Sequence, residues 1–92
     1  MFHKNMVFKF TYNDVSKVVP LKTITSVREV CSGMVRIATN DYVLYTISMD
    51  EDDVPYLLNT YNDWLWEQES SLKVVEFQVF SVVDRLNLDG AE

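Results

Sequence analysis

Cysteine is almost missing from this chain: Cys31 stands alone. One thiol makes neither an internal disulfide nor a Cys-based zinc site, so a reducing compartment, the cytoplasm, is the expected setting. Glycine and proline are scarce as well, two of each. With only Gly33 and Gly90 there is no Gly-rich phosphate loop, and ATP or dinucleotide sites of that type are set aside. No apolar run approaches eighteen residues, and the opening "MFHKNMVFKF" has neither a signal-peptide core nor a small-residue cleavage site, so no export or membrane insertion is expected. The absence that matters most is local. From Asp50 to Glu69, "DEDDVPYLLNTYNDWLWEQE" carries seven carboxylates and no lysine or arginine.

What is present is a globular composition. At 92 residues and 48% hydrophobic, the chain reads as a single domain over 1–92 with enough apolar side chains for one core. "MVFKFTY" alternates with period two and predicts a strand over 5–12. "NDVSK" supplies turn chemistry, and Pro20 makes the link that follows irregular or a short edge piece. The Val-, Ile- and Thr-rich stretch that comes next predicts strands near 22–30, 34–39 and 42–48, turning at Ser32-Gly33 and Asn40-Asp41. Val54, Leu57, Leu58, Tyr61 and Leu65 then recur at helical spacing, flanked by Trp64, and predict an amphipathic helix from about Asp53 to Gln68. "LKVVEFQVFSVV" predicts a long strand over 72–83, with residues 79–88 open to either strand or helix. The fold class is α+β: a mainly antiparallel sheet with one principal acidic, amphipathic helix packed on one face.

Net charge is −6, split unevenly: residues 1–48 carry six basic and three acidic groups, residues 49–92 two basic and eleven acidic. Contact with nucleic acid or an anionic membrane needs the opposite sign over the contacting face, so neither is expected; a partner with a basic surface fits better. Catalytic and metal-binding readings are thin. Cys31 and His3 carry no local signature of a nucleophile pair. Asn59, Asp63 and Glu67 share a helix face without forming a cage, and "DEDD" lacks the glycine and distal glutamate of a calcium loop. No enzyme, metal or cofactor is expected.

An ordinary surface helix follows its acids with a lysine or arginine three or four residues on; here Asp63 and Glu67 repel instead. They lie about 6 Å apart along a helix axis, comparable to neighbouring phosphates of a nucleic-acid strand. Carboxylates at that spacing, without basic neighbours, offer a DNA-binding cleft a substitute for its duplex. With the length, the charge segregation, the opening "MFHKNMVFKFTYND" and the acidic segment in view, the chain resembles the Arn family, the anti-restriction DNA mimics of T-even phages. The resemblance implies a small homodimeric inhibitor that shields phage DNA from the endonuclease McrBC, with the nucleoid protein H-NS as a further target. It transfers no invariant site. The acidic surface is therefore read from this sequence as Asp50, Glu51, Asp52, Asp53, Asp63, Glu67 and Glu69, with Glu76, Asp84 and Asp89 secondary. The basic first half departs from the pattern. A dimer also has a rationale in the 72–83 strand, apolar on both faces and in need of a partner if it forms an edge. Two other readings compete: an interaction module contacting a protein through Tyr56 and Trp66, and a small enzyme using Asp63 and Glu67 as paired carboxylates.

Overall fold

A computed structural model describes residues 6–66 and 73–86 of the chain. His3, Glu67, Glu69 and Asp89, and the expected end of the helix at Gln68, lie outside the described residues.

Strand β1 runs Met6–Tyr12 and buries Met6, Phe8 and Phe10 on alternate positions. It turns through Asn13 and Asp14, both at positive φ (47° and 64°), into β2, Val15–Pro20. Two residues of that hand make the tight turn whose twist matches a hairpin. The link expected to be irregular or an edge piece is thus a paired edge strand, with Pro20 confined to its last position. After a single 3₁₀ turn come β3 (Ile24–Cys31), β4 (Met34–Thr39) and β5 (Val43–Met49), an antiparallel meander. Helix α1 spans Val54–Trp66, and β6 runs Lys73–Leu86.

The six strands form one sheet in the order β2-β1-β6-β5-β4-β3, antiparallel except where β6 meets β1. Strand β6 pairs with β1 over Lys73–Gln78 and with β5 over Val79–Leu86. Support along its whole length keeps it extended to Leu86, which settles residues 79–86 as strand. The same placement removes the edge argument for dimerisation: β6 is internal, and the sheet's outer strands are β2 and β3. Apolar residues on both of its faces mark a strand hydrogen-bonded on both sides, not one awaiting a partner.

One face of the sheet carries the core, in which Phe77 sits edge-on to Phe8 at 5.5 Å and stacked on Phe10 at 5.7 Å. Val54 and Leu57 of α1 are buried in it, with Leu58, Tyr61 and Trp64 packed at its border. The Tyr61 hydroxyl donates to the Ile24 carbonyl at 3.2 Å, tying the helix to β3. Leu65, expected to end the apolar stripe, is 44% exposed. Trp64, one position earlier, packs against the border of the core instead.

Candidate functional site: the acidic turn

Four of the expected surface carboxylates stand just ahead of α1. Between Val54 and Trp66 the only acidic residue is Asp63; Asp50, Glu51, Asp52 and Asp53 form the turn between β5 and α1. Pro55 falls in the first turn of α1, where its missing amide costs no hydrogen bond, and the acids precede it.

The turn is built from its own side chains. Asp50 accepts the Asp52 amide on its Oδ1 at 2.9 Å, and its carbonyl accepts the Asp53 amide at 2.9 Å. The Asp53 carbonyl then takes the first helical hydrogen bond, from the Leu57 amide at 3.1 Å. Four carboxylates against the amide-rich start of α1 interact favourably with its dipole, which offsets part of their mutual repulsion. Behind them stands the β3–β4 hairpin: the Met49 amide donates to the Gly33 carbonyl at 2.8 Å, and the Ser32 hydroxyl donates to Glu51 Oε1 at 3.0 Å. Gly33 has φ +78°, and a Cβ there would lie 2.8 Å from the Met49 carbonyl oxygen. No other residue type fits without moving the strand end from which the acidic turn departs.

Asp50, Glu51 and Asp52 are exposed, Asp53 is half-buried, and among the described residues none of the four has an ion-pair partner. Asp63 is exposed on α1, but it lines a small cleft of about 190 Å³ that also holds Lys73, Tyr56 and Trp64. The turn and Asp63 are therefore not one uninterrupted acidic array. The secondary acids are engaged elsewhere. Glu76 accepts from the Thr11 hydroxyl at 2.9 Å, and Asp84 pairs with Lys17 at 2.8 Å. The hydrogen bond from Lys17 holds the Asp84 carboxyl below its usual range, and the same contact raises Lys17. Burial raises the hydroxyls of Tyr45 and Tyr61.

Tyr56 is less outward than the helical wheel implies. Its ring lies 5.7 Å from that of Phe77, so it covers the core margin while remaining 57% exposed. Trp66 is 84% exposed at the end of the helix. Cys31 is exposed at the end of β3, and among the described residues no group of three or more His, Cys, Asp or Glu side chains is placed to hold a metal ion. No helix among them is long and apolar enough to cross a membrane.

Two features escape sequence reading. The hairpin that braces the acidic turn is 17 residues before it, and only the "SG" pair hints at the tight approach. The register also brings together bases that the sequence separates: Arg28 lies directly opposite Arg36 across β3 and β4. Compared with protein-family models, curated proteins and solved structures, the chain finds no match.

Proposed function

We propose that this protein is a non-enzymatic inhibitor that occupies the DNA-binding site of a basic partner by presenting carboxylates in place of phosphates. The observation that carries the reading is the braced turn Asp50–Asp53: four consecutive acids, three of them exposed, on a backbone fixed by its own hydrogen bonds and by Gly33. Ordered charge of one sign, with its cost already met in folding, is what a cleft built to neutralise phosphates recognises. Asp63 is a separate exposed carboxylate on α1, and Glu67 and Glu69 follow it in sequence. The partners that the resemblance implies are McrBC and H-NS, in the cytoplasm of a host cell, with a homodimer as the acting unit; its contacts would fall on β2, β3 or the uncovered sheet face.

The test is a titration into McrBC cleavage of methylated DNA and into an H-NS gel shift, comparing the native chain with Asp50→Asn/Glu51→Gln/Asp52→Asn/Asp53→Asn. Native inhibition that the folded variant loses supports the reading; equal inhibition by both rejects it. The exposure of Trp66 favours one alternative, a module that binds a protein through Trp66 and Tyr56 with the acids as a soluble rim. Trp66→Ala would then abolish binding while the charge variant retains it.

A further inference from the structure

A fault in the sheet sets an exposed phenylalanine beside the acidic turn. Ser48 pairs with Ser81 and Met49 with Val79, so Phe80 has no partner on β5. An extra residue of this kind bends its strand and re-aims the side chain it carries. Phe80 is 68% exposed and forms one wall of an open cavity of about 390 Å³, whose other walls include Ser32, Ser48, Asp50 and Glu51. That volume lies in the range of small-ligand sites. One cavity thus holds an aromatic ring and two carboxylates, and among the described residues no lysine or arginine lines it.

Both carboxylates are positioned without being saturated. Asp50 accepts the Asp52 amide on Oδ1, and Glu51 accepts the Ser32 hydroxyl on Oε1. Among the described residues, Asp50 Oδ2 and Glu51 Oε2 take part in no hydrogen bond or ion pair. The class of ligand follows from this lining. An anion is repelled. A neutral apolar group would cover the ring but strip water from the carboxylates without replacing its hydrogen bonds. A cation suits both, because the face of an aromatic ring attracts positive charge as the carboxylates do.

We propose that this cavity receives one arginine side chain of a basic protein partner, its guanidinium stacked on Phe80 and its N–H groups donating to Asp50 and Glu51. Arginine fits better than lysine. Its planar guanidinium stacks on a ring while its edge forms a fork of donors matched to carboxylates, whereas the lysine ammonium is a compact, strongly hydrated point charge. The inference rests on the mimicry reading for the partner's basic surface and adds what a row of phosphates lacks, an aromatic seat that distinguishes one cation from the other.

The experiment is a titration of the full ¹⁵N-labelled chain, followed by amide shifts, with a short peptide of alternating arginine and glycine, the same peptide with lysine for arginine, and spermidine. Shifts at Ser48, Glu51 and Phe80 with a Kd of about 1 mM or tighter are expected for the arginine peptide, and binding several-fold weaker for the lysine peptide and spermidine. Phe80→Ala should weaken the arginine peptide about two- to fivefold, the worth of an exposed cation–π contact, and bring it level with the lysine peptide. Asp50→Asn/Glu51→Gln should weaken both peptides about tenfold. Equal affinity of the native chain for the two peptides would overturn the assignment, as would spermidine binding as tightly as the arginine peptide, an arginine preference that survives Phe80→Ala, or no shift at these three amides at several millimolar peptide. If a variant fails to fold, the peptide pair on the native chain decides alone. Arginine-selective binding without inhibition of McrBC would uphold the cavity and reject the mimicry; inhibition without arginine preference would do the reverse.

Discussion

Leu57→Ala is the perturbation that best separates the observed helix packing from the stripe read off the sequence. Leu57 is fully buried, and α1 is the only helix among the described residues on the core face. Removing three carbons there forfeits their burial and leaves a cavity between α1 and the sheet, a loss of about 3–4 kcal/mol by comparison with buried leucines elsewhere. For a domain of this size each kcal/mol lowers Tm by about 4–8 °C, so Tm should fall by about 12–30 °C. Against a total stability of about 5–15 kcal/mol the variant folds marginally. Leu65→Ala, at a side chain 44% exposed, should cost less than about 1 kcal/mol. Urea unfolding of both variants, with the native slope retained, measures the difference. Equal losses at positions 57 and 65 would refute the packing described here.

Gly33→Ala should cost about 2 kcal/mol or more, because φ +78° and a 2.8 Å approach to the Met49 carbonyl both oppose a Cβ. Thermal unfolding reads the loss, and amide shifts at Asp50–Asp53 should report a displaced turn. Asp84→Asn tests the pair with Lys17, whose side chains are 40% and 43% exposed, so solvent screening leaves only a few tenths of a kcal/mol. The sign follows from the shifts: Asp84 is lowered from 3.8, so its contribution is present above that pH and lost as pH falls through its folded value. Lys17 is raised from 10.5, so its contribution holds below that pH and disappears as pH rises past it. The Tm difference between native and variant should therefore be present at pH 7 and shrink as pH falls below the ordinary carboxylate range. Trp66→Ala should leave Tm within about 3 °C of native, since an 84% exposed ring contributes little packing; a larger fall would mean that Trp66 is structural.

Much of the fold was legible because period-two alternation and β-branched runs are local signals. The β1 boundaries, the β3–β4–β5 meander and α1 all follow from spacing. The position of β6 was not legible. An apolar run on both faces is equally the pattern of an unsatisfied edge and of an internal strand, and only its pairing with β1 and β5 decides. The acids at the start of α1 were legible from the sequence, but the hydrogen bonds that fold Asp50–Asp53 into a turn, and the hairpin behind it, were not.

The central claim is occupation of a DNA site, and the most direct measurement is the mode of inhibition of McrBC. Cleavage should be titrated with the native chain at several concentrations of methylated DNA and at two salt concentrations. A DNA mimic predicts competitive behaviour: the half-inhibiting concentration rises in proportion to the DNA, and inhibition weakens as salt rises. Inhibition independent of DNA concentration, or no inhibition at all, would contradict it.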